Sequence, residues 1–169
     1  MCYYYGQLFF VTCYRRTTGG QMFNIIPFQE KYRDDTIFCL LSAKDALGDV
    51  PRLTEDFLNI QEYFFDKGDM FWIALDETGR VIGMLGTDTV SSTDMWLRRL
   101  FIKPELKRHG LGSVLYSVAE KYAIAKGIYI IHTRFPDNYI EASKFYLAKG
   151  FVDAGKHEGL PYMIKYLRQ

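Results

Sequence analysis

Apolar residues recur along this chain at two periods, and the alternation between them lays out the elements. Residues 23–28, Phe23-Asn24-Ile25-Ile26-Pro27-Phe28, read as a strand ended by proline. Residues 29–43 then carry Tyr32, Thr36, Ile37, Leu40 and Leu41 on one face of a predicted helix. Gly48 to Pro51 breaks the chain. Thr54 is placed to cap a second helix, with Glu55 and Asp56 in its first turn, running to about Asp66 and stopping near Gly68. Residues 70–75 and 80–87 predict a hairpin turned by Asp76-Glu77-Thr78-Gly79, and residues 95–102 a further strand. From Gly110 to Lys126, Leu111, Val114, Leu115, Val118, Ala119 and Tyr122 form one helical stripe, and Gly127 ends it. A strand over 128–132, a helix over 139–149 closed by Gly150, and strands over 151–154 and 162–167 complete the pattern.

The first 21 residues differ from the rest. Leu8 to Tyr14 reads as a strand, and Arg15-Arg16-Thr17-Thr18-Gly19-Gly20 as a turn or linker, so this stretch is read as an extension preceding a domain that begins at Met22. An alternative start, a segment foreign to the native chain or an added edge strand would each produce it.

The densest chemistry lies at Leu97-Arg98-Arg99-Leu100-Phe101-Ile102-Lys103-Pro104-Glu105-Leu106-Lys107-Arg108-His109-Gly110-Leu111-Gly112, a buried strand followed by a basic, glycine-bearing turn and a helix start. Such a turn gathers unpaired backbone N–H groups at the positive end of a helix dipole, which suits phosphate. The glycines do not follow G-x-G-x-x-G, and no G-K-[ST] is present. A pyrophosphate-bearing molecule of another kind fits better.

Composition narrows the classes. One domain of this length can bury a core of its own. A formal charge of +1 leaves no sign-biased surface for nucleic acid, so basic patches are local. Cys2, Cys13 and Cys39 are odd in number and lack C-x-x-C spacing, and His109, His132 and His157 are not spaced as metal ligands. No metal and no disulfide framework are expected. No apolar run spans a bilayer, and Met1-Cys2-Tyr3-Tyr4-Tyr5 lacks the basic region of a signal peptide. A cytoplasmic protein with no membrane partner is the expectation.

The order β-α-α-β-β-β-α-β-α-β-β over residues 22–169 resembles the GNAT superfamily of N-acetyltransferases. Its Q/R-x-x-G-x-G/A motif corresponds to Lys107-Arg108-His109-Gly110-Leu111-Gly112, with lysine at the first position, after a strand of the form L-x-x-L-F-I-x-P. A second motif, N-x-x-A-x-x-F/L-Y-x-x-x-G-F, is approached by Ala142-x-x-Phe145-Tyr146-x-x-x-Gly150-Phe151. Tyr139 falls at the asparagine position, and Asn138 lies one residue early.

The resemblance implies an α/β (α+β) fold, a mixed and mostly antiparallel sheet of about seven strands with about four helices on both faces. It implies acetyl-CoA as acyl donor and a primary amine, small-molecule or peptide, as acceptor, joined by direct attack in a ternary complex. Backbone groups of Leu100, Phe101 and Ile102 would meet the acetyl carbonyl and pantetheine, with Asn138 reaching the same arm. Backbone N–H groups from Arg108 through His109, Gly110, Leu111 and Gly112 to Ser113 would hold the pyrophosphate, with charge added by Lys107 and Arg108. Tyr146 would protonate the leaving thiolate, since a phenol with its ordinary pKa near ~10 is protonated at neutral pH. Relatives often place a glutamate base on the strand that here carries Trp96. Asp94 and His132 are the substitutes considered, with Asp88 and Glu30 more remote. Tyr63 or Phe64 would line the acceptor pocket. Relatives also form dimers, which implies a homodimer through the terminal strands or the first 21 residues. Two rival readings stand beside this one. The first is a non-catalytic acyl-CoA-binding or sensing module on the same fold, favoured by the absent glutamate and displaced asparagine. The second is a nucleotide-binding α/β protein, which the glycine spacing disfavours.

Overall fold

The computed structural model describes residues 15–16 and 22–167. Their strands form one eight-stranded sheet in the order β1-β2-β3-β4-β5-β6-β8-β7. These are β1 (Arg15–Arg16), β2 (Met22–Pro27), β3 (Phe71–Asp76), β4 (Val81–Thr89), β5 (Asp94–Ile102), β6 (Ile130–Arg134), β7 (Val152–His157) and β8 (Leu160–Tyr166). Every neighbouring pair is antiparallel except β5 and β6. From Met22 onward the count is the seven strands expected. The predicted strand over Leu8 to Tyr14 lies outside the described residues. Arg15-Arg16, read as part of a turn, instead pairs with Met22 and Phe23 as a short edge strand.

Side-chain alternation along β3 divides the core in two. Trp72 and Ala74 join the cluster under α4 (Leu111–Ala125) and α5 (Ile140–Ala148). Phe71, Ile73 and Leu75 join the cluster on the opposite face, under α1 (Arg33–Asp45), α2 (Glu55–Leu58) and α3 (Ile60–Tyr63). The strand is buried on both faces because helices cover both, which is why its sequence reads as a continuous apolar run. In α4 the buried stripe is Leu111, Leu115, Tyr116, Val118, Ala119, Tyr122 and Ala123, close to the helical period read from the sequence.

The single helix expected over 54–66 is not one helix. It breaks into α2, α3 and a 3-10 turn at Phe65–Lys67. The break falls at Asn59 (φ −145°, ψ 73°), whose side chain accepts from the Glu62 N–H and caps α3. Asparagine offers that local hydrogen bond in place of the helical one. Thr54 does precede α2 but makes no side-chain cap. Its hydroxyl instead accepts from Arg99 at 3.3 Å.

Two irregularities in β5 shape the molecule. Met84 faces Phe101 and Gly86 faces Arg98, so β5 advances three residues while β4 advances two. The extra residue is a bulge, with Arg99 at φ +60°. Its guanidinium is held by Asp56 at 2.7 and 3.0 Å and lies over the Phe57 ring, tying the bulge to α2. The second irregularity is a parting. β5 pairs with β6 only at Asp94–Ile130, Met95–Ile131 and Trp96–His132. Beyond that rung β6 stays with β8 while β5 continues to Ile102 without it.

Opposite the bulge, a Cβ on Gly86 would stand 2.6 Å from Cε1 and 3.1 Å from Cζ of Phe64, and 3.0 Å from Cδ2 of Phe71. Gly86→Ala is therefore expected to lower stability by about 1–3 kcal/mol, measured by urea unfolding. A neutral result would mean that the two rings yield. Arg99→Ala is expected to cost about 1–2 kcal/mol, below the figure for a fully buried pair because Arg99 is 30% exposed. Arg99→Gly removes the same ion pair but relieves a left-handed backbone worth about 1–2 kcal/mol, so it should unfold at higher urea than Arg99→Ala. The reverse order would contradict the strained bulge.

Candidate active site

Where β5 and β6 part, a cavity of about 350 Å³ opens. Leu100, Phe101 and Ile102 form one wall, Ala142, Phe145 and Tyr146 of α5 another, and Ala43 and Leu47 from the end of α1 a third. Lys107, Arg108, Gly110, Gly112 and Ser113 close one end. The wall on β5 offers backbone as well as side chains. Lys103 N–H donates to the Ile82 carbonyl of β4 at 3.0 Å. Alternation along an antiparallel strand then turns the Ile102 backbone the other way, toward the side that β6 has left.

The basic end is built from main chain. Gly110 is the N-cap of α4 at φ +88°, and no side chain caps the helix. Arg108 is also left-handed, at φ +65°. Val114 N–H donates to the Gly110 carbonyl, which leaves the N–H groups of Leu111, Gly112 and Ser113 without an intrahelical acceptor. They point out of the positive end of a 15-residue helix. The Arg108 side chain is 86% exposed and only 3.7 Å from Glu141, so it is held loosely. Leu111 itself is buried in the core, and His109 does not line the cavity. His109 Nδ1 is buried without a hydrogen-bond partner.

Asn138 is not on the cavity wall. Its amide reaches the Leu47 carbonyl and Asp49, each at 3.4 Å. Tyr139, which occupies the motif's asparagine position, does line the cavity and donates its hydroxyl to Asp49. These two residues pin the loop after α1 onto the start of α5, closing the cavity from above. No sequence motif signalled Asp49, Ala43 or Leu47, because their part in the site depends on how α1 crosses the sheet.

Tyr146 lines the cavity with its ring packed between Phe135, Phe145 and Phe151. Burial pushes its phenol up to about 12, and a hydrogen bond with Thr133 of β6 partly offsets that. It is a protonated phenol across the physiological range, able to donate and not to serve as a base.

The two base candidates are in contact. His132 Nε2 is 2.8 Å from Asp94 Oδ1, and its Nδ1 is 2.6 Å from the Tyr162 hydroxyl. The other oxygen of Asp94 accepts from Thr93 at 2.6 Å and Ser91 at 2.8 Å. These bonds, that of Thr93 first and then that of His132, hold its carboxyl below the usual carboxylate range. Trp96 stacks on His132 at 5.1 Å and is flanked by His157 and Tyr162. Asp88 is paired with Arg98 at 2.9 Å and Glu30 lies near Arg33, so neither faces the cavity. Phe64 is core, edge-on to Phe71, and Tyr63 bonds Glu55. Cys39 is buried, with its thiol pushed up to about 12 by desolvation, which removes it as a nucleophile. Among the described residues no cluster of His, Cys, Asp or Glu could hold a metal, and no helix is long and apolar enough to cross a membrane.

Many solved structures share the fold, among them three acetyltransferases. An acetyltransferase of the GNAT family from Staphylococcus aureus Mu50 superposes with TM-score 0.80 at 20% identity, covering 86% of this chain and 99% of that one. An acetyltransferase from Streptococcus agalactiae 2603 gives 0.79 at 18%, covering 86% and 98%. The PaiA N-acetyltransferase of Thermoplasma acidophilum, in complex with coenzyme A, gives 0.69 at 21%, covering 86% and 99%. No curated protein matches the sequence. A sequence model of the acetyltransferase (GNAT) family matches residues 30–151, well over half of the chain. The chain belongs to the GNAT family of acetyltransferases.

Proposed function

We propose that this protein transfers an acetyl group from acetyl-CoA to a primary amine, on a small molecule or a peptide, by direct attack while both are bound. The observation that carries the reading is the cavity between β5 and β6, which has unpaired main-chain donors at one end and a buried phenol on its wall. A pantetheine arm needs an apolar channel with a few backbone partners. The exposed backbone of Ile102 and the apolar side chains Leu100, Ala142 and Phe145 supply both. A pyrophosphate needs several converging N–H groups, and Leu111, Gly112 and Ser113 supply them at a helix N-terminus, with Lys107 and Arg108 beside them. The PaiA structure, which shares this fold, holds coenzyme A.

Acetyl-CoA would bring an activated acyl group and a thiol leaving group. Main-chain donors near Leu100 and Ile102 would face the oxygen on which negative charge grows; loss of one such donor in comparable sites costs roughly 10²–10³ in rate. Tyr146 would give its proton to the departing sulfur. Its burial suits that role, because a phenol kept neutral remains a donor at every working pH. Thr133 holds the hydroxyl from the neighbouring strand.

The same cavity would serve a module that binds acyl-CoA without turning it over, and one variant separates the two. Tyr146→Phe is expected to lower kcat by about 10²-fold or more, in the range for general acids, while acetyl-CoA affinity measured by calorimetry stays nearly unchanged. A wild-type protein that binds acetyl-CoA but acetylates no amine in a broad panel would favour the sensing module.

A further inference from the structure

The face of the sheet opposite α4 and α5 is covered by α1, α2 and α3 only over its first half. Over β6, β8 and β7 no side chain among the described residues joins the hydrophobic cluster that those helices cover. This open face carries a compact polar and aromatic group: Trp96, His132, Tyr162 and His157, whose rings lie 5.1–5.9 Å apart where they touch. The Trp96–His132 rung within it is the last one before β5 and β6 part. The group therefore stands at the point where the two strands part, beside the cavity described above and outside its lining.

From this arrangement we infer that Asp94, His132 and Tyr162 form a proton relay that deprotonates the acceptor amine at the vertex of the parted strands, with Tyr162 as the group that meets the amine. The inference rests on the acetyltransferase reading given above and assigns the base which that reading leaves open.

The order of the relay follows from its hydrogen bonds. An ionised carboxylate only accepts, so Asp94 takes the hydrogen of Nε2, and Ser91 and Thr93 help keep it ionised. With its hydrogen on Nε2, the neutral imidazole has its lone pair on Nδ1. The Tyr162 hydroxyl, 2.6 Å away, must then donate to it. Both ring nitrogens of His132 are engaged, so the tyrosine oxygen is the member left with lone pairs to offer. Tyr162 is only partly buried. Burial and the charge of Asp94 raise its phenol, which keeps it a neutral carrier between substrate and imidazole.

Acid and base meet this vertex from opposite sides. Thr133, bonded to Tyr146, points to the α5 face, while His132 is the preceding residue on the same strand and points to the open face. The proton balance closes. As the substrate ammonium gives a proton to Tyr162 Oη, the tyrosine's own proton passes to His132 Nδ1, leaving a neutral amine and an imidazolium beside Asp94. The amine nitrogen bonds to the acyl carbon, the carbon–sulfur bond breaks, and Tyr146 protonates the sulfur. Of the two protons the ammonium sheds, one leaves His132 for solvent and the other makes good the one Tyr146 gave.

Other charged groups surround the imidazole. Arg98 on β5 and Arg134 on β6 lie over Trp96 and are neutralised by Asp88 and Glu158. His157 completes the stack, and Tyr166 on β8 lies within electrostatic reach of Tyr162. Asp94 is the only carboxylate bonded to the His132 ring among the described residues.

A relay matters for an amine that arrives protonated and not for one already neutral. The test compares acetylation of primary alkylamines (benzylamine, putrescine, an unblocked peptide) with that of hydroxylamine, a weakly basic acceptor, across pH. His132→Gln and Tyr162→Phe are each expected to lower kcat/KM for the best alkylamine by about 10²-fold at neutral pH, and that for hydroxylamine by less than about threefold. The rise in alkylamine activity through the neutral range should move upward in pH in both variants. Equal losses for both acceptors, or no shift of the profile, would make the trio structural and overturn the relay. Should His132→Gln fail to fold, Tyr162→Phe decides alone, because it keeps the ring in its stack and removes one oxygen. If wild-type protein binds acetyl-CoA and acetylates neither class, the enzyme reading falls and the relay with it. If it acetylates alkylamines as well without the hydroxyl of Tyr162 as with it, the relay alone falls.

Discussion

Everything at this site depends on one broken partnership, the separation of β5 from β6 after the Trp96–His132 rung. A sheet strand seeks partners along both edges because its N–H and C=O groups are costly to bury unpaired. Here Met95 and Trp96 of β5 have a partner on each side, and from Leu97 onward only β4 remains. The bulge at Arg99 accompanies the change. It bends β5 and shifts its register, and the Arg99–Asp56 ion pair fastens the bend to α2. The result is a slot in the middle of a domain, walled by packed helices and edged with main-chain hydrogen-bonding capacity. A strand-like ligand segment is the natural occupant of such a slot, in the way a peptide adds to an open sheet edge.

The surroundings keep the slot open and give its two mouths different chemistry. At one end the start of α4 gathers N–H groups that no side chain caps. Above, Asn138 and Tyr139 hold the loop after α1, so the roof is tied to the α5 wall by polar contacts and not only by packing. Where the strands part, β6 presents Thr133 to one face and His132 to the other, so a single strand fixes a phenol on one side and an imidazole on the other. Neither side chain can drift far. Tyr146 is held among three phenylalanine rings, and His132 is hydrogen-bonded at both nitrogens and stacked on Trp96.

Much of this was legible in the sequence where local rules govern. The α4 stripe, the hairpin of β3 and β4, and the glycines at Gly110 and Gly112 are short-range patterns, and the structure has each of them. The helix expected over 54–66 failed for a local reason that periodicity does not see, a capping asparagine in mid-segment. Arg15 and Arg16 read as a turn by composition, yet found a strand partner in Met22 and Phe23. Long-range features were harder. Asp94 and His132 stood as separate candidates 38 residues apart, and only the parallel pairing of β5 with β6 brings them into one hydrogen bond. Tyr162 had no motif at all; its role comes from the β6–β8 register. The turn of Asn138 toward Leu47 depends likewise on where α1 ends.

The measurement that bears most directly on the account is a titration of the isotopically labelled protein with acetyl-CoA, followed through its backbone amide resonances, with ATP as the control. The slot predicts that the amides of Ile102 and of Leu111 to Ser113 shift strongly and saturate together, with the Trp96 and His132 amides responding at the vertex. ATP should leave Ile102 unmoved. Saturable shifts confined to the α4 turn, equal for acetyl-CoA and ATP and absent at Ile102, would mean that the turn holds phosphate while the parted strands hold nothing, and would contradict the account.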